Sequence, residues 1–235
     1  MAARERLIVA LDYPSREPAL ALVDSLGENV LWYKVGLELY LAEGARVIEE
    51  LRRRGKHVFL DLKLHDIPNT VAGAVRSVGR TGAELLTVHA MGGPAMVQAA
   101  VTAATETSPS LKIVAVTVLT SMNAQQLRAT ASYLPPEQRV RRLANMAILA
   151  NAHGVVCSPN EVGLLREIVF PKITIVPGIR PEGFAADDQS RTATARQATV
   201  DGASMLVVGR PITRAADPIS AARAMLQEMD TAFRS

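Results

Sequence analysis

A chain of 235 residues with 49% hydrophobic and only 4% aromatic residues is long enough for one α/β barrel domain spanning 1–235, its core made of Ala, Val, Leu and Ile. The formal net charge of +3 comes without a run of about five Lys and Arg, which argues against nucleic-acid binding, and no apolar run is long enough for a membrane span. The single cysteine, Cys157, excludes an intrachain disulfide and a cysteine-built metal site, and a start that goes quickly into strand leaves no room for a signal peptide, so a soluble cytoplasmic protein is expected.

The first strand-like run is "RLIVAL" (6–11), and "EPALALVDSLG" after it carries apolar residues at helical spacing. "LWYKV" (31–35) precedes the helical "GARVIEELRRRG", whose three consecutive arginines sit at a solvated helix end. "HVFLDLK" (57–63) precedes "NTVAGAVRSVGRTG", and "ELLTV" (84–88) precedes "PAMVQAAVTAA". "KIVAVTV" (112–118) leads to "QRVRRLANMAILANA", then come "GVVC" (154–157), "ITIV" (173–176) and "MLVVG" (205–209), with "SAARAMLQEM" last. Near-continuous apolar strands alternating with helices imply a parallel sheet covered by helices. Eight such units without a GxGxxG turn after the first strand favour a closed (β/α)8 TIM barrel over an open doubly wound sheet. The stretches 119–153 and 177–204 are long enough for extra helices, and "GIRPEGFAADDQSR" in the second has the composition of a mobile lid.

In such a barrel the chemistry sits where the strands end. Those ends read Asp12; Lys34; Asp61 with Lys63; His89; Thr120 with Ser121; Cys157 with Ser158; Pro177 with Gly178 and Arg180; and Gly209 with Arg210. Strand alternation aims Asp61 and Lys63 to the same side, into the barrel mouth, and Lys34 lies one strand away. Asp61 and Lys63 alone could be a structural ion pair. Adding Lys34 and Asp12 makes an array that stability does not require, and neighbouring charges there must alternate in sign to be tolerated. A lysine held between carboxylates stays protonated: a poor Schiff-base nucleophile, but a ready proton donor to a carbanion beside it. The segment "VVGRPIT" (207–213) offers the Gly209 N–H, a helix start and the Arg210 guanidinium, which suits a phosphate dianion. His57 and His153 read as structural, His65 and His89 as neighbours of the site without metal-ligand spacing, and Cys157 as a packed thiol.

The segments "LIVALD", "YKVG", "DLKLHDIPNTV", "VTVLTSM", "GVVCSP", "PGIRPEG" and "VVGRPIT" occur in that order along the whole chain. Together they resemble the orotidine 5'-phosphate decarboxylases of the bacterial type. The resemblance implies a homodimer that converts orotidine 5'-monophosphate (OMP) to uridine 5'-monophosphate (UMP) and CO2 without metal or organic cofactor. By position, Lys63 is then the proton donor to C6 of the pyrimidine, Asp61 faces the departing carboxylate, and Lys34 and Asp66 complete the alternating charges. It further implies that Asp66, Ile67 and Thr70 reach the partner subunit's site and that Asp12 and Lys34 bind ribose hydroxyls. Thr120 and Ser121 would meet the ribose or pyrimidine, with Pro177 alongside as a substrate contact. Arg180, Gln189, Gly209 and Arg210 would hold the phosphate under a lid of residues 180–190. A rival group of sugar-phosphate decarboxylases and aldolases shares the DxKxxD pattern but uses Mg2+ and a metal-binding Glu at the end of strand two, where this chain has Lys34. A non-catalytic barrel that only binds a nucleotide or a protein is disfavoured because each expected catalytic position is filled.

Overall fold

The computed structural model describes residues 2–130, 133–182 and 191–232. Eight strands, β1 (Leu7–Leu11), β2 (Trp32–Gly36), β3 (His57–Leu64), β4 (Leu85–His89), β5 (Lys112–Val116), β6 (Gly154–Val156), β7 (Ile173–Val176) and β8 (Met205–Val208), pair in parallel in sequence order. β8 returns to β1 through the pairs Leu7/Leu206, Ile8/Val207 and Val9/Val208, so the sheet closes into the expected (β/α)8 barrel.

The helices around it are α1 (Arg16–Leu26), α2 (Leu37–Glu43), α3 (Arg46–Arg53), α4 (Pro68–Gly79), α5 (Gly93–Thr107), α6 (Ala124–Ala129), α7 (Pro136–Leu149), α8 (Val162–Val169), α9 (Ala195–Val200), α10 (Arg210–Thr213) and α11 (Pro218–Ala232). Several start where the chain makes a helix start cheap. Pro68 and Pro136 occupy first-turn positions that need no N–H donor. Asn123 and Gln126 cap α6 reciprocally, each side chain accepting from the other's backbone N–H at 2.9 Å. The short α2 and α6 are too brief to show a helical period, and the sequence reading did not resolve them.

Strand alternation sorts the core into two layers. On β1, Leu7, Val9 and Leu11 face outward into a large cluster shared with the helices, while Ile8 and Ala10 face inward. The inner cluster contains Ile8, Ala10, Phe59, Leu85, Val114, Ile175, Met205 and Val207, which fill the barrel. Burying each of the larger aliphatic side chains contributes about 1.5–3 kcal/mol. At the start of β6 a side chain on Gly154 would collide with the Ile173 carbonyl oxygen, so the close approach of β6 and β7 requires glycine there.

At the end of the barrel where the strands begin, His57 stacks on Trp32 with ring centroids 4.8 Å apart and its Nδ1 lies 2.8 Å from Glu84. The arginines at the end of α3 are paired rather than bare: Arg52 with Glu84, Arg53 with Glu50, and Arg54 with both Asp24 and Glu50. His153 accepts a hydrogen bond from the Ile113 N–H at 3.0 Å, holding the entry to β6 against β5. Among the described residues no helix is long and apolar enough to cross a membrane.

Candidate active site

A cavity of about 330 Å³ opens at the C-terminal ends of the strands. Ala10, Phe59 and Val207 form its apolar floor, and Asp12, Lys34, Asp61, Lys63, Thr120, Ser121, Pro177, Arg180, Gly209 and Arg210 line it. Those ten polar or loop positions, drawn from six different strand ends, are among the candidates read from the sequence.

The charges do alternate. Lys34 Nζ donates to Asp12 Oδ1 at 2.9 Å and lies 3.7 Å from Asp61 Oδ2, which in turn accepts from Lys63 Nζ at 2.8 Å. The Lys34 and Asp61 side chains are each only 12% exposed, so their interaction is little screened, whereas Asp12 at 62% opens toward solvent. Burial works to lower the Lys34 ammonium, but Asp61 and Asp12 outweigh it and hold the group above the ordinary lysine value. Burial likewise works to raise Asp61. The two lysines and the hydrogen bonds from Lys63 and Thr87 outweigh it and keep the carboxylate below its ordinary range. The glycine that ends β2 belongs to this geometry, since a methyl group on Gly36 would stand 2.9 Å from Lys34 Nζ.

Asp61 and Lys63 meet by a route that simple alternation does not describe. The β3/β4 pairing shifts register between Leu60 and Leu64, and Lys63 has φ +50°, in the left-handed region that non-glycine residues rarely occupy. Across the irregularity the Lys63 N–H donates to Thr87 Oγ1 at 2.8 Å, and the Thr87 hydroxyl donates to Asp61 Oδ1 at 2.9 Å. Thr87 was missed in the sequence. The available signal was a polar residue two positions after Leu85, on the same inward parity, inside an otherwise apolar strand.

The remaining candidates fall in three places. Arg180 is buried, its Nη1 donating to the Ile179 carbonyl at 2.9 Å, while Arg210 opens the single-turn α10 just after Gly209. Gln189 and most of the expected lid lie outside the described residues, but the chain on either side is joined by a bridge between Ile179 and Ala193. Asp66, Ile67 and Thr70, on the turn into α4, are exposed and do not line this cavity; Asp66 accepts from the Ile67 N–H at 2.6 Å, and Ile67 is 66% exposed.

Two further residues escaped sequence reading. Arg191 pairs with the buried Glu161 and donates to the Leu119 carbonyl at 3.0 Å, beside Thr120 and Ser121, while Glu161 also accepts from the Ser158 N–H at 2.9 Å. Partners 30 and 72 positions apart leave no local signal. Cys157 is fully buried, and its thiol is pushed up to about 12 by that burial, as suits a packed group. His89 stacks against His65 at 5.4 Å, and burial, then His65, Lys63 and Arg139, lower it to about 4, which keeps it neutral near pH 7. Its Nδ1 accepts from the Met91 N–H at 3.3 Å, which puts the ring proton on Nε2. Among the described residues no cluster of three His, Cys, Asp or Glu side chains is arranged to hold a metal.

A sequence model of the orotidine 5'-phosphate decarboxylase / HUMPS family matches residues 5–225. The chain is 50% identical over 222 residues to an orotidine 5'-phosphate decarboxylase of Anaeromyxobacter dehalogenans, covering 94% of this chain and 96% of the relative. It is also 50% identical over 225 residues to one of Thermobifida fusca, covering 95% of each. Among solved structures, the orotidine 5'-phosphate decarboxylase of Lactobacillus acidophilus superposes with a TM-score of 0.86 at 39% identity, over 96% of this chain and 99% of that one.

Proposed function

Because the chain belongs to the orotidine 5'-phosphate decarboxylase / HUMPS family, we propose that it decarboxylates OMP to UMP and CO2, the step that forms UMP in pyrimidine synthesis. The observation that carries this reading is the line Asp12, Lys34, Asp61, Lys63 along one wall of the cavity, with contacts of 2.9, 3.7 and 2.8 Å between successive members.

The reaction breaks the bond between C6 and the carboxylate, and the electron pair stays on C6, where the pyrimidine has no adjacent electron sink. Stabilisation must then come from charge fixed in place before the reaction. Lys63 supplies it, and its ammonium transfers a proton to C6 as CO2 leaves; the neutral amine regains its proton from solvent once product departs. Asp61 sits against the departing carboxylate and, between its two flanking lysines, helps hold Lys34 above its ordinary value. Lys34 and Asp12 bind the ribose hydroxyls, and Thr120, Ser121 and Pro177 contact the ribose and base. Arg180, Gln189, Gly209 and Arg210 take the phosphate, whose binding energy, spent far from C6, helps organise the reacting end.

The exposure of Asp66, Ile67 and Thr70 supports a homodimer in which these residues complete the partner subunit's site, Asp66 extending the alternating line. A cytoplasmic location is in keeping with this role. The roles given to the charged array need no metal or organic cofactor.

The test is the loss of OMP absorbance in the presence of EDTA, for the unaltered protein and for Lys63→Ala. Metal-independent turnover that disappears in the variant supports both the activity and the role of Lys63. No turnover by the unaltered protein removes the reading and directs attention to Mg2+-dependent chemistry on sugar phosphates.

A further inference from the structure

We propose that Thr87 is a positioning residue whose hydroxyl holds the Asp61 carboxylate in its working rotation and fixes the left-handed turn of the backbone at Lys63. This rests on the reading of Asp61 and Lys63 as the reacting pair. Thr87 is 1% exposed, so water does not compete for its hydroxyl. That hydroxyl has one proton to give and lone pairs to receive with. The Lys63 N–H can only donate, at 2.8 Å, which leaves the hydroxyl proton for Asp61 Oδ1 at 2.9 Å.

The two carboxylate oxygens are thereby divided. Oδ1 is bound to Thr87, and Oδ2 faces Lys63 at 2.8 Å and Lys34 at 3.7 Å. Rotation of the carboxylate would break the hydrogen bond to Thr87, so the side facing the ammonium groups is set from behind. The same oxygen atom of Thr87 bridges the register shift between Leu60 and Leu64. A residue with φ +50° persists only where its surroundings specify it, and here the Thr87 acceptor does so directly at the Lys63 N–H. One buried hydroxyl therefore sets the carboxylate and the backbone that carries the proton donor.

Thr87→Val keeps the shape and removes the hydroxyl, whereas Thr87→Ser keeps the hydroxyl and removes the methyl group. With OMP, Thr87→Val is expected to lower kcat by about 10- to 100-fold, the loss of a hydrogen bond to a charged group, with KM changed less than about threefold. The acid limb of its pH profile moves upward, because a hydrogen bond that favours the charged Asp61 has gone. Thr87→Ser is expected to stay within about threefold of the unaltered protein, on the same limb. If Thr87→Val does not fold, as judged by circular dichroism and UMP binding, Thr87→Ser and Thr87→Ala, which differ only in the hydroxyl, replace it: a high serine kcat beside a low alanine kcat supports the proposal, and equal values overturn it. A role in packing alone would leave the near-isosteric valine variant close to normal, make serine, which loses the methyl group, the more damaging change, and leave the acid limb unmoved. Lys63→Ala separates the two levels. If it retains turnover, the reading of the site fails; if it loses turnover while Thr87→Val keeps normal kcat and pH dependence, only the role given to Thr87 fails.

Discussion

Replacing Lys34 by methionine removes the middle cation of the array while keeping most of the side-chain volume. The ammonium lies 3.7 Å from Asp61 Oδ2, both side chains 12% exposed, which gives about 4.5 kcal/mol of attraction at an effective dielectric constant of about 20. Its contact with the mostly exposed Asp12 adds under about 1 kcal/mol. Relief from burying the ammonium offsets part of this, and Asp61 keeps Lys63 and Thr87. A net loss of about 2–3 kcal/mol is therefore expected, somewhat below the roughly 3–5 kcal/mol of leaving a buried charge with no other partner. For a chain of this size that lowers Tm by about 4–12 °C, measured by circular dichroism at neutral pH.

The pH dependence has a defined sign. Asp61 is depressed in the folded state, so its contribution is present above the ordinary carboxylate value of 3.8 and is lost as pH falls through the folded value. Lys34 is raised, so its contribution is complete below the ordinary value of 10.5 and is lost as pH rises through the folded value. The difference between the unaltered protein and Lys34→Met should be a plateau through neutral pH that narrows at both extremes. A variant as stable as the unaltered protein at pH 7, or a gap that widens toward acid, refutes the balance of forces assigned to the array.

Arg210→Ala should lower kcat/KM for OMP by roughly 10- to 100-fold, the worth of a charge-assisted phosphate contact, while leaving the slow turnover of orotidine lacking the phosphate unchanged; equal kcat/KM for OMP removes Arg210 from the phosphate site. His89 sits at about 4 when folded against an ordinary 6.5, so the unfolded chain takes up its proton first and stability falls as pH drops from 6.5 toward 4. His89→Asn, which keeps an acceptor for the Met91 N–H, should flatten that slope in urea midpoints, and an unchanged slope refutes the assignment. Cys157, buried with its thiol near 12, should react with a thiol reagent only as fast as the protein unfolds; rapid labelling of native protein contradicts its placement.

The barrel was legible because eight short apolar runs recur with helical spacing between them, and its polar strand ends were legible because a closed parallel sheet brings those ends to one face. Asp12, Lys34, Asp61 and Lys63 stood out as charges where an apolar strand should simply stop. What stayed hidden has a common physical origin. The turn at Lys63 is a property of two strands in mismatched register, and neither strand alone encodes it. The Arg191 pairing with Glu161 depends on loops that only the folded chain brings together. Thr87 is polar in the interior of an apolar strand, on the inward parity of Leu85, and that parity is its one trace in the sequence.

Ala10, Phe59 and Val207 belong at once to the lining of the cavity and to the cluster that fills the barrel. Ligand recognition and mechanical support are therefore entrusted to the same atoms. Cutting Phe59 back to alanine would deepen the pocket, but it would also hollow the centre of the barrel, at a cost of about 3–5 kcal/mol. Room for a bulkier substrate cannot be gained from below without loosening the scaffold. The rim, where loops rather than strands supply the contacts, is the direction in which this protein can change its choice of ligand while keeping its fold.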